Sequence, residues 1–246
     1  TRRHPLSETL RNVVARLPAL SAGQRVRIAG LKGAARAFFV ARCLQEFPCP
    51  TVCVLDSDQA AEAFADDLRL FLGHTDTTQQ KEQKEKHSDP SDLPDLPDLP
   101  HPVGKNLHLY PAWDVPAFEG LSPSSDVVAA QVEGLYFLLS VTTPLLVTSI
   151  EALTQRVMPQ EEFMGATQRL GLGQEVSLSD LVDSLLEWGY RRVPLVEEKG
   201  ELSVRGGILD VFPPLSDVPI RAEFFGDSVE SLRTFDPSSQ RSQAEL

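Results

Sequence analysis

The sequence predicts an α/β protein in two parts, a parallel-sheet domain followed by an α+β domain built on an antiparallel sheet. Two observations carry this. Between residues 25 and 72, strand-like apolar runs alternate with helical runs, the order of a βαβ unit whose strands lie parallel. Between residues 199 and 236, four short β-branched and aromatic runs follow one another. Gly or Pro punctuates each junction, as in antiparallel hairpins.

The elements follow in order. Residues 6–17 place Leu6, Leu10, Val13, Val14 and Leu17 on one side of a helix. Residues 25–29 read as a short strand, 30–33 as a tight loop and 34–47 as a helix. Thr51–Leu55 is the second strand, and a helix over about 57–72 ends at Gly73, which suits a left-handed cap. From 74 to 105 the chain turns polar and Pro-rich, with three copies of Asp-Leu-Pro at 92–100. Proline supplies no backbone donor and favours extended geometry, so 74–105 is expected to be a solvated, flexible insertion. Leu107–Tyr110 is a strand. A helix starts in 122–126, with acids near its positive end, and runs to about 139. A buried strand at 145–147 leads to Ser149, which caps a short helix through Glu151, Ala152 and Leu153.

The first domain is therefore expected over 1–155 and the second over 156–246. In the second, Ser177 or Ser179 opens a helix with Leu178, Leu181, Val182, Leu185 and Leu186 at helical spacing, and Gly189 closes it. Strands follow at Glu201–Arg205, 208–212, Ile220–Phe225 and Ser228–Phe235.

Composition excludes several functions. A net charge of −12 over 246 residues argues against a grip on a phosphate backbone and favours a protein partner. No apolar run approaches the ~20 residues that span a bilayer. Cys43, Cys49 and Cys53 have no histidines at zinc spacing and read as reduced, mostly buried thiols of a cytoplasmic protein. Hydrolase and metalloprotease signatures are missing, so no catalytic or metal-ligating residue is expected.

One loop has the skeleton of a nucleotide site without its chemistry. Working P-loops read G-x-x-x-x-G-K-[ST], with a lysine on the phosphates and a hydroxyl on magnesium. Here Gly30 and Gly33 remain, but Ala35 stands at the second signature glycine, Arg36 at the lysine and Ala37 at the hydroxyl. Alanine coordinates no metal, and a Cβ at 35 obstructs the turn that cradles phosphates. Lys32 is expected to face solvent. Asp56 reads as the end of a buried strand and a helix cap rather than a metal ligand.

Side chains alternate along Ile220–Phe225, so Ile220, Ala222 and Phe224 share one face while Arg221, Glu223 and Phe225 share the other. An arginine beside an aromatic on an open face is a typical interface anchor. The same pattern also suits a Phe225 covered by a second layer, and alternation leaves both readings open. Asp210, a lone acid inside Ile-Leu-Asp-Val-Phe, is expected to tie down a turn or pair with an arginine such as Arg205.

The stretches GLKGAARA (30–37), YPAWD (110–114), EGLSPSSDVV (119–128), WGY (188–190), GE (200–201), VRGGILDVFP (204–213), RAEFFGD (221–227) and TFDPSSQRS (234–242) resemble the N-terminal module of the bacterial transcription-repair coupling factors. The match covers nearly the whole chain outside 74–105. The resemblance implies a UvrB-like arrangement: a P-loop, helicase-like domain whose nucleotide loop has degenerated, carrying an α+β domain that recruits UvrA. It implies that recruitment depends on Arg205, Arg221 and Phe225, with no cofactor. Full-length members are ATP-dependent translocases on double-stranded DNA that displace stalled RNA polymerase through regions not found here, so the sequence is read as a fragment. A UvrB-like ATP-dependent damage-binding helicase subunit would need an intact phosphate loop and later helicase motifs. A direct DNA-binding module would sit poorly with the acidity.

Overall fold

The computed structural model describes residues 24–73, 107–116 and 120–246. The helix expected at 6–17 and the insertion at 74–105 lie outside the described residues. The chain divides into two compact units, one formed by the residues up to Tyr110 with Phe137–Leu153, the other by Pro111–Tyr136 with Thr154–Leu246.

In chain order the elements begin α1 (Ala35–Glu46), β1 (Thr51–Leu55), α2 (Asp58–Leu72), β2 (Leu107–Tyr110), α3 (Ser125–Ser140), β3 (Leu145–Ser149) and α4 (Ile150–Leu153). The first unit holds a parallel sheet in the order β1-β3-β2. Central β3 is buried at every position, which is why its sequence reads as a continuous apolar run. Ala37 and Ala41 of α1 meet Ala61, Phe64, Ala65 and Leu68 of α2 over Val147, small side chains allowing close approach. The Ser57 hydroxyl accepts the Ala60 amide at 3.2 Å, and Gly73 closes α2 at φ +77°. Ser149 Oγ likewise accepts the Ala152 amide at 3.2 Å.

Three expectations are corrected here. Residues 25–29 form no strand: Val26 and Ile28 are exposed, and β1 takes β3 as its parallel partner instead. Apolar alternation makes a strand where its apolar face is buried, and here every side chain from 25 to 29 is exposed. The residue that caps α2 is Ser57 rather than Asp56, and the β1 strand before it alternates in exposure instead of being buried. Cys49 is exposed, while Cys43 and Cys53 are partly buried. Burial pushes the Cys53 thiol up to about 11, so it stays protonated at neutral pH.

The second unit continues with α5 (Gln160–Gly165), α6 (Leu178–Glu187), β4 (Arg191–Arg192), β5 (Glu201–Arg205), β6 (Ile208–Val211), β7 (Ile220–Phe225), β8 (Ser228–Phe235) and β9 (Ser242–Glu245). Its six strands pair in sequence order, all antiparallel except β4 on β5. Four of them are the strands read from the sequence; β4 and β9 extend the sheet at its two edges. Ser177 caps α6 by accepting the Asp180 amide, and Gly189 follows the helix at φ +94°. The apolar stripe of α6 (Leu181, Val182, Leu185) packs on Leu202, Leu209, Ala222, Val229 and Leu232.

A bulge adjusts β8. Glu223 pairs with Ser231 but Phe224 pairs with Val229, leaving Glu230 as the extra residue. That shift lets Val229 and Leu232, three positions apart, both reach the helix-covered face. On the opposite face Val196, Phe212 and Phe235 form a smaller core.

The β5–β6 turn explains its two glycines. Gly206 sits at φ +62°, and a Cβ on Gly207 would come within 2.6 Å of the Phe224 carbonyl oxygen. The same Phe224 donates its amide to Gly207 O at 2.7 Å, locking the turn against β7. Because the obstacle is backbone, Gly207→Ala is expected to cost about 3 kcal/mol of unfolding free energy. Gly206→Ala should cost about 1 kcal/mol from left-handed strain alone. Urea denaturation of the two variants checks the order.

Candidate partner-binding site

The antiparallel order brings the Gly206-Gly207 turn and the Gly226-Asp227 turn to one end of the sheet. Arg205, the last residue of β5, and Phe225, the last residue of β7, therefore lie at that end. Their side chains belong to the face opposite α6. Along the strands this face carries Ser203, Asp210, Arg221 and Arg233 as one cross-strand row. The next row holds Arg205, Ile208, Glu223 and Ser231.

Asp210 is the centre of this face and is only 1% exposed. A carboxylate so buried must be paired, because desolvation penalises an isolated charge. Arg221 grips it with one edge of its guanidinium: Nε donates to Oδ1 at 2.6 Å and Nη2 to Oδ2 at 2.9 Å. Arg205 donates its Nη2 to the same Oδ2. Arg221 Nη1 also donates to the Gln240 carbonyl and to Ser242 Oγ, both at 3.3 Å. Its guanidinium carbon lies 4.8 Å over the Phe235 ring, a cation–π contact. The hydrogen bond to Asp210 raises the Arg221 pKa above the ordinary arginine value, against the opposing effect of burial. The shift is upward, so its stabilisation is complete below the unfolded pKa and is lost only at extreme alkaline pH.

Exposure separates the three residues expected at a partner site. Phe225 is 80% exposed, so among the described residues no second layer covers it. The Arg205 side chain is 48% exposed, whereas that of Arg221 is only 14% exposed. Alternation puts Arg221 and Phe225 on one face as expected, but Arg221 is not open to water beside the ring. Its head is drawn inward by Asp210 and Phe235, two partners on neighbouring strands. The expected Arg205–Asp210 pair is present, and Arg221 shares the same carboxylate. A lone acid inside an apolar strand is the signal for such a hub, since burial obliges it to find cations. Glu223 and Arg233 approach at 3.7 Å, an exposed pair of little energetic weight.

The 30–37 loop belongs to the first unit. Gly30 and Gly33 adopt left-handed backbone at φ +88° and +52°. Lys32 and Arg36 are exposed, while Ala37 is buried in the helix–sheet core. Ala34 precedes α1 without any side-chain cap. Among the described residues no group of three or more His, Cys, Asp or Glu is placed to hold a metal. No helix there is long and apolar enough to cross a membrane.

A family model for the UvrB interaction domain matches residues 169–246, the segment that contains α6 and the whole six-stranded sheet. Over 223 residues the chain is 38% identical to the transcription-repair-coupling factor of Myxococcus xanthus, covering 90% of this chain and 17% of that protein. The chain belongs to the transcription-repair-coupling factor family. The Escherichia coli K12 relative is 36% identical over 134 residues, 54% of this chain and 12% of its own. The Bacillus subtilis relative is 27% identical over 215 residues, 87% of this chain and 16% of its own. This coupling-factor chain thus spans about a sixth of the curated relatives it matches over most of its length. All three expected site residues, Arg205, Arg221 and Phe225, fall inside the UvrB interaction domain.

The two arginines of the coupling-factor sheet should differ in stability effect. Arg221→Ala strips the bidentate partner from a buried carboxylate and is expected to cost about 3 kcal/mol. Arg205→Ala removes a half-exposed partner and should cost at most about 1 kcal/mol. Thermal and urea unfolding of the two variants checks this difference.

Proposed function

We propose that this chain is the UvrA-recruiting adaptor module of a transcription-repair coupling factor, acting in transcription-coupled nucleotide excision repair in the cytoplasm. In this reading residues 1–155 form a UvrB-like, helicase-type P-loop domain, with 74–105 inserted, that serves as a scaffold. Residues 156–246 supply the UvrA-binding surface through Arg205, Arg221 and Phe225. The observation that carries it is Phe225, 80% exposed at the end of β7 on the same sheet face as a half-exposed Arg205. A large aromatic held in water by a rigid strand gains free energy when another protein covers it, and arginine beside it selects a carboxylate-bearing partner.

The module itself is read as non-enzymatic. Arg36 and Ala37 replace the lysine and hydroxyl that phosphate and magnesium require, and the buried Ala37 methyl faces the core. ATP-driven translocation on double-stranded DNA and displacement of RNA polymerase are assigned to the remainder of a full-length coupling factor. A UvrB-like helicase activity is disfavoured by the same loop.

Isothermal titration of UvrA into the purified chain tests the reading. Arg205→Ala and Phe225→Ala are each expected to weaken binding by about 2 kcal/mol, roughly thirtyfold in Kd. Both variants binding UvrA as tightly as the wild type would overturn it.

A further inference from the structure

Resting on the UvrA-binding reading of this face, we propose that Asp210 is the positioning residue of the site. Buried to 1% exposure, Asp210 reaches no partner. Its shared Oδ2 instead fixes the direction in which Arg205 presents its guanidinium. The donor inventory divides the labour between the two arginines. Of five N–H donors on a guanidinium, Arg221 directs four at Asp210, Gln240 and Ser242, and lays its face on Phe235. It has little left for a partner, and its side chain is 14% exposed. Arg205 commits a single N–H to Asp210, keeping four donors for a bidentate grip on a partner carboxylate. Arg221 thus acts through Asp210, and Arg205 is the arginine that touches UvrA.

The oxygens of Asp210 make the arrangement fragile in a defined way. Oδ1 takes Arg221 Nε, while Oδ2 takes Arg221 Nη2 and Arg205 Nη2 together. An asparagine offers one acceptor oxygen where the two arginines need two. With that oxygen kept on Arg221 Nε, the amide NH2 faces the Arg205 donor and turns it away. Glu223 stands in the adjacent row and faces Arg233 at 3.7 Å, so it does not replace the second oxygen of Asp210.

The test is a double-mutant cycle on UvrA affinity, run on the full chain well below its unfolding temperature, with circular dichroism confirming the fold. Asp210→Asn should weaken binding roughly tenfold on its own and by less than about twofold in an Arg205→Ala background, since it acts through that arginine. A folded Asp210→Asn variant that binds like wild type overturns the proposal, as does an equal loss in both backgrounds. If Asp210→Asn does not fold, Arg221→Lys decides. A single ammonium cannot span both carboxylate oxygens, so the same background-dependent weakening is expected, and unchanged binding overturns the proposal. A wild-type chain that fails to bind UvrA overturns the functional reading, whereas failure confined to the variants overturns the role of Asp210 alone.

Discussion

One buried negative charge organises the outer face of the second unit. The Asp210 carboxylate sits in the middle of a sheet, where desolvation costs several kcal/mol unless cations and hydrogen bonds replace the lost water. Arg221 and Arg205 meet that demand from the strands on either side. Arg221 then reaches Gln240 and Ser242 beyond the end of β8, and Phe235 within it. A single acid thereby ties three adjacent strands to the returning chain. Pairs of this kind add little net stability over an apolar core; they fix one arrangement, because any slip of register would strand a charge.

That arrangement leaves the face divided. At its centre the charges are mutually satisfied and shielded from water. At the end of the sheet, two glycine turns hold Arg205 and Phe225 on the last positions of their strands. Gly207 matters because the Phe224 carbonyl passes where a Cβ would be, so turn and strand are held at a fixed spacing. A rigidly presented aromatic and a guanidinium aimed by a buried acid lose little conformational entropy on binding, which favours recognition by a small patch. The chain's net charge of −12 makes this local cationic feature stand against an acidic background and discourages nucleic acid as the occupant.

Much of this was legible in the residues. Punctuation by Gly and Pro located β5 to β8 to within a residue, and the apolar stripe with Ser177 and Gly189 located α6. Alternation assigned Arg221 and Phe225 to one face because period two is a property of the backbone. Alternation does not report how deep a side chain lies, and Arg221 is sequestered by Phe235, fourteen residues later and on the neighbouring strand β8. The short edge strands β4 and β9 escaped because Arg191–Arg192 and Ser242–Glu245 carry no apolar pattern; only their neighbours' open edges make them strands. Residues 25–29 failed in the opposite sense, with a strand-like pattern whose side chains all stay exposed, so no buried face holds a strand there.

In the proposed function UvrA covers the turn end of the six-stranded sheet. Hydrogen–deuterium exchange of the chain with and without UvrA tests it most directly. Protection is expected to concentrate in peptides spanning 204–209 and 223–228. Protection confined to residues 30–72, with the two glycine turns exchanging as in the free chain, would contradict it.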